Sequence, residues 1–285
     1  KCVHKRCMMT DRPFGCFLSG GFDSSIVASI VSRYMTSHKL GKLKTFSVGM
    51  KGATDLSAAR ELSEYIGSDH HELVVTEKEM LQAIPMVIRR IESYDTTTVR
   101  ASTGMVLLSD WIKTNFNTTV IFSGEGADEL SGSYRYFNNA PSPESVQLEC
   151  IRLLNDLQYF DVLRCDKSVS GSGLEARTPL LDCEFIKFYM NLDPKLKDNA
   201  IIEKKLLRDT FAETGHLPFS IRMRPKEAFS DGCSSLKRPW FKVIQDHVDN
   251  LVSDAEYGSG RLKYIHNVPQ SKESYWYREI FERWY

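Results

Sequence analysis

Two short stretches carry residue types whose spacing could do chemistry. Ser19-Gly20-Gly21-Phe22-Asp23-Ser24-Ser25 sets two glycines, three hydroxyls and one carboxylate directly after the apolar run that ends at Leu18. Glycine backbone can approach a bound group and turn its N–H inward, and serine hydroxyls add further donors. A helix starting near Ser24 would contribute unsatisfied N–H groups and the positive end of its dipole, so the stretch suits phosphate. It is not a Walker A loop, because no Gly-Lys-Ser/Thr follows the glycines. Asp23 would repel a phosphate unless a divalent cation lay between them, and Mg²⁺ takes carboxylate and phosphate oxygens together. Asp23 therefore predicts a Mg²⁺–pyrophosphate site; the bland alternative is a glycine turn with a Ser/Asp helix cap. The second stretch, VIFSGEGADEL from Val120 to Leu130, runs a strand into Ser123-Gly124 and then Glu125, Asp128 and Glu129. An acidic helix start would read the same way when isolated. Beside a phosphate site, Asp23 and Asp128 could each hold metal, leaving Glu125 free to manage a proton.

These residues need a scaffold that delivers both stretches to one place. Short apolar runs predict strands at Gly15–Leu18, Lys44–Val48, Glu72–Val75 and Val120–Phe122. Between them, helical periodicity predicts Ser24–Met35, Leu56–Ile66, Lys78–Ile91 and Ser102–Phe116. Strand–helix alternation with β-branched strands implies an α/β fold, a parallel sheet covered by helices on both faces. Ligands of such sheets bind beyond the carboxyl ends of the strands, where Ser19 and Ser123 fall. The later chain reads as mainly helical, with Pro143–Leu163, Glu184–Leu192, Ile202–Glu213, Trp240–Val252 and Lys272–Trp284. A soft boundary near residue 165 separates a nucleotide-binding core of about 12–165 from a helical part of about 166–285, within one compact unit.

The whole chain narrows the function classes. Its 285 residues are 42% apolar and 26% charged, with 37 basic residues against 37 acidic ones. That balance gives no electrostatic footprint for nucleic acid or an anionic membrane, so neither is expected as a partner. Seven scattered cysteines without a CxxC pair argue for reduced thiols in the cytosol over disulfides or zinc. His70-His71-Glu72 lacks a third ligand and reads as a solvated strand start, while the aromatic run from Tyr275 to Tyr285 reads as helix packing. The chain opens without Met and stops at FERWY, as a fragment would.

SGGFDSS resembles the pyrophosphate loop of the N-type ATP pyrophosphatases, which split ATP between its α and β phosphates and adenylate a substrate. VIFSGEGADEL resembles the SGEGxDE segment of the asparagine synthetases in that group. Thr45–Met50 (TFSVGM), Glu92–Ser102 (ESYDTTTVRAS) and Arg224–Gly232 (RPKEAFSDG) match further segments in the same order. The similarity covers nearly the whole chain and is nearest the animal-type synthetase domain. In Gly171–Cys183, Ser172 and Cys183 stand where that family has histidines.

The resemblance implies amidation of L-aspartate through β-aspartyl-AMP, with ATP and Mg²⁺ consumed as a complex and AMP and pyrophosphate released. ATP would lie against Phe17, Ser19, Gly20, Gly21, Asp23, Ser24, Ser25, Val48, Met50, Ser123 and Gly124. Backbone around Val48 would grip adenine, with Phe17 on its other side. Mg²⁺ would sit on Asp23 and Asp128, Arg100 and Lys226 would face pyrophosphate, and Glu125 would act on the acyl-adenylate with ammonia. The family's N-terminal glutaminase domain has no counterpart in this sequence. This chain is therefore expected to use free ammonia, and its parent, a cytosolic homodimer, ammonia from glutamine. A β-lactam synthetase, which closes a ring with the substrate's own amine, and a catalytically inactive relative are the competing readings.

Overall fold

Strands β1 (Phe14–Phe17), β2 (Lys44–Met50), β3 (Asp69–Val75), β4 (Val120–Phe122) and β5 (Glu175–Arg177) form one sheet in the order β3-β2-β1-β4-β5. Every neighbouring pair is parallel. The computed structural model describes residues 1–197, 202–235 and 238–285. The chain steps outward from β1 to β3, then returns to place β4 on the other side of β1. The reversal opens a crevice between β1 and β4, the usual ligand position in such sheets.

Alternation along the strands sends side chains to two separate cores. Phe17, Phe46, Val48 and Ile121 pack on one face, under α4 (Glu77–Ile91) and α5 (Thr96–Asn115). Cys16, Leu18, Val120 and Phe122 pack on the other, under α1 (Cys2–Met8), α2 (Phe22–Ser37) and α3 (Thr54–Ile66). Both faces of the sheet are thus covered, as the alternating pattern predicts. In α4, Met80, Ile84, Val87, Ile88 and Ile91 form the buried stripe, and Thr76 with Glu79 closes a capping box ahead of it.

Several boundaries differ from expectation for local reasons. Asp95 accepts a hydrogen bond from Thr98 N at 2.7 Å, so α5 starts at Thr96 rather than Ser102 and takes Arg100 into the helix. The run expected from Pro143 to Leu163 breaks where Phe160 adopts extended backbone. It becomes α7 (Pro143–Asn155) and α8 (Asp161–Ser170), after α6 (Ala127–Ser131). β5 was not expected: it is a three-residue edge strand, Glu-Ala-Arg, with neither apolar alternation nor β-branched residues. It extends the sheet past residue 165, so the expected boundary there falls inside the sheet's span.

Farther on come α9 (Cys183–Met190), α10 (Lys205–Thr210), α11 (Phe219–Arg222) and α12 (Phe229–Gly232). The last three are α13 (Trp240–Leu251), α14 (Asp254–Gly260) and α15 (Lys272–Phe281). The helix expected over Ile202–Glu213 shrinks to α10, because Lys204 before it is left-handed at φ 60°. Among the described residues no helix is long and apolar enough to cross a membrane.

Candidate active site

The β1–α2 turn is built to leave donors open. α2 starts after Gly21 with no side-chain cap, unlike α4 and α5, so its first-turn N–H groups are not claimed by a cap. Ser19 and Ser24 hydroxyls meet at 3.1 Å, and Ser24 Oγ also donates to Gly21 O at 3.2 Å. Ser25 is fully buried, and its hydroxyl finds no partner among the described residues. Gly20 has φ +74°, and a Cβ there would strike the Ala58–Ala59 backbone of α3, so only glycine fits. At the end of β4, a Cβ on Gly124 would lie 2.6 Å from both Asp23 C and Ser24 N. That close approach brings the second acidic stretch against the first.

The contact gathers four charges. Lys204 Nζ lies 2.5 Å from Asp23 Oδ2 and 2.6 Å from Asp128 Oδ1, while Lys226 Nζ lies 2.7 Å from the same Asp128 oxygen. The Lys226 ammonium also sits 4.6 Å over the Tyr134 ring. Burial would raise the Asp128 carboxyl, but two touching ammonium groups outweigh it and hold Asp128 below the ordinary carboxylate range. Asp23, pushed up by burial and by Asp128 against the attraction of Lys204, stays above its ordinary value. Asp23 Oδ1 is buried and has no hydrogen-bond partner among the described residues. No group of three or more His, Cys, Asp or Glu gathers as a self-sufficient metal site among those residues. Two carboxylates with one open oxygen are instead the donor set of a cation shared with phosphate, and so they fit Mg²⁺.

Glu125 stands beside this cluster in a second network. Its Oε1 accepts from Arg164 Nη2 at 3.2 Å, and Arg164 Nε donates to Asp161 Oδ1 at 3.2 Å. Tyr134 donates its hydroxyl to Glu129 Oε1 at 2.6 Å, with Asp161 Oδ2 3.2 Å away. Burial, countered by Arg164 and reinforced by Asp161, Glu129 and Asp128, raises the Glu125 carboxyl to about 7. A carboxyl near neutrality can both take and return a proton at working pH. Arg164 Nη1 is buried and unpartnered among the described residues, leaving a guanidinium edge able to take an incoming anion.

The turn residues Ser19, Gly20, Gly21, Asp23, Ser24 and Ser25 thus stand together with Ser123, Gly124, Glu125, Asp128 and Lys226 around one crevice. Phe17, Val48 and Met50 are core side chains on β1 and β2, so a ligand would meet them mainly through backbone. Met50 N–H already donates to Cys233 O at 2.8 Å, which removes it as a donor. Arg100 is not brought to the cluster. Its Nε and Nη2 donate to Glu273 at 2.7 and 2.5 Å, tying α5 to α15, because α5 starts early enough to hold it as a helix residue.

Sequence reasoning missed Lys204 and Arg164. Arg164 carried a signal: it lies on the buried stripe of α8 with Cys165, Ser168 and Val169, a charge on an apolar face. Lys204, within Glu-Lys-Lys-Leu-Leu, carried none.

The family model described as asparagine synthase matches residues 1–145 and 138–285. The chain is 49% identical over 285 residues to asparagine synthetase [glutamine-hydrolyzing] of Cricetulus griseus, covering 99% of this chain and 51% of that protein. It is 47% identical over 283 residues to the Homo sapiens protein of the same name, covering 99% and 50%. It therefore spans about half the length of the curated relatives it matches. Among solved structures, NMN synthetase from Francisella tularensis aligns with a TM-score of 0.33 at 15% identity, over 71% of this chain and 94% of that one.

Proposed function

The chain belongs to the asparagine synthase family, and from that premise we propose that it forms L-asparagine from L-aspartate, ATP and ammonia. The side-chain carboxylate of aspartate attacks the α-phosphate of ATP, giving β-aspartyl-AMP and pyrophosphate. Ammonia then attacks the activated carbonyl, AMP leaves, and the amide remains. The observation that carries this reading is the meeting of Asp23, Asp128, Lys204 and Lys226 beyond β1 and β4, next to Glu125 and Arg164.

Charge is the obstacle in the first step. A carboxylate approaching a phosphate anion at about 4 Å costs roughly 4 kcal/mol per pair at an effective dielectric near 20, about a thousandfold in rate. Lys204 and Lys226 supply positive charge where pyrophosphate departs, and the uncapped start of α2 supplies N–H donors. Asp23 and Asp128 would hold Mg²⁺, which would supply Lewis-acid neutralisation of the phosphate oxygens. The open edge of Arg164 orients a carboxylate of aspartate beside Glu125. Glu125, near neutrality, receives the proton that ammonia sheds as the amide forms.

The relatives named glutamine-hydrolyzing are about twice as long. We assign the supply of ammonia in the parent protein to glutamine hydrolysis outside this chain, which itself takes free ammonia. The cytosolic homodimer rests on the resemblance alone.

Incubation of the chain with Mg·ATP, L-aspartate and an ammonium salt should yield AMP, pyrophosphate and asparagine in equal amounts. ADP with orthophosphate would sink the reading; silence with every carboxylate would favour an inactive relative, and turnover only with an amine-bearing acid would favour ring closure. Glu125→Ala should retain aspartate-dependent pyrophosphate exchange into ATP and lose asparagine formation. Full ammonia-dependent turnover by that variant would remove Glu125 from the second step.

A further inference from the structure

Arg224 takes no part in the chemistry above, yet it touches three segments that converge on the site. Its Nη1 donates to Ser19 O at 3.0 Å, and its Nη2 donates to Asp55 Oδ1 at 2.8 Å and Glu227 Oε2 at 2.7 Å. Those acceptors belong to the β1–α2 turn, the first turn of α3, and the loop that carries Lys226. Thr54 Oγ1 donates to the same Glu227 oxygen at 2.7 Å, so the loop is fastened to the start of α3 twice. The guanidinium and the Asp55 carboxylate are 14% and 7% exposed, which withdraws the pair from competition with water.

We propose that Arg224 is a positioning residue that locks the Lys226 loop onto the glycine turn, so that both meet the pyrophosphate portion of ATP as one unit; this rests on the site reading given above. The peptide unit supplies the reason. In a planar trans peptide the carbonyl and the following N–H point in opposite directions. Holding Ser19 O on Arg224 therefore turns Gly20 N–H to the opposite side of the turn. Gly20, at φ +74°, lacks the side chain that would otherwise restrict such a peptide from rotating. Lys226 follows Arg224 by two residues, and from the docked loop its ammonium reaches Asp128 at 2.7 Å. Lysine could neutralise Asp55 but could not hold three acceptors in one plane, which requires the guanidinium fork.

A merely structural role, neutralising the buried Asp55, makes a different forecast. Burial pushes the Asp55 carboxyl up to about 6 even with Arg224 beside it. The paired change Asp55→Asn with Arg224→Met removes both charges together. The measurements are thermal unfolding and titration calorimetry with Mg·pyrophosphate on the whole chain. The double variant should melt close to wild type yet bind Mg·pyrophosphate roughly tenfold to hundredfold more weakly, the loss of hydrogen bonds from a charged donor. Arg224→Lys should show the same split, with the KM for ATP rising more than kcat falls. Wild-type affinity in either folded variant overturns the assignment of Arg224. Failure of the unmodified chain to bind Mg·pyrophosphate overturns the site reading itself, and the inference with it.

Discussion

Glu125→Gln tests whether burial or ion pairing governs the most important carboxyl of the site. The ordinary value for this side chain is 4.5, and in the fold it rises to about 7. The folded chain thus holds a proton that the unfolded chain releases over that interval. Stability from this group is fully present below about pH 4.5 and is lost as pH rises through about 7. At 1.36 kcal/mol per pKa unit, the cost at neutral and higher pH is about 3 kcal/mol. Glutamine keeps the shape and an acceptor for Arg164 while removing the ionisation. The variant should gain on wild type by about 1 kcal/mol near pH 5 and by about 3 kcal/mol near pH 8, read from urea unfolding across that range. Were attraction to Arg164 the larger effect, Glu125 would titrate below 4.5 and glutamine would destabilise the chain at neutral pH. Parallel stability profiles for the two proteins, or a loss at high pH, would refute the reasoning. A group that costs its own fold that much is held in place by what it does.

Two further changes probe how the site is assembled. Gly124→Ala would press a methyl group to within 2.6 Å of the Asp23 and Ser24 backbone. It should cost about 1–3 kcal/mol in unfolding experiments and weaken Mg·ATP binding, because Asp23 must move. Lys204→Met removes the ammonium that bridges Asp23 and Asp128 and leaves Lys226 on Asp128, and should lower unfolding free energy by about 3 kcal/mol; an unchanged urea midpoint would refute that role.

The parts of this site that could be read from sequence share a physical cause. Gly20 and Gly124 stand where two backbones touch, and only a missing side chain permits that contact, so the residue type announces the place. The carboxylates beside them are short, and a short side chain must be carried to its target by its own backbone. Asp23 and Asp128 therefore lie within a few residues of such glycines, and Gly124 brings the two stretches together. Strands with apolar alternation were legible for a similar reason, whereas β5, a charged edge strand of three residues, depends on β4 for its pairing and showed nothing locally. The cations behave differently. A lysine or arginine stem reaches several ångströms from any nearby element, so its position in sequence says little about its target. Lys204 arrives from a left-handed residue ahead of α10 and Arg164 from the middle of α8, while Arg100 turns to Glu273 on α15. Of Lys204, Lys226, Arg100 and Arg164, Lys226 alone is both expected at the site and in contact with Asp128, and that expectation comes from resemblance rather than spacing. The anionic half of such a site is written in local backbone constraints; the cationic half is set by tertiary packing. Arg224, which joins three segments through one guanidinium, belongs to that second kind.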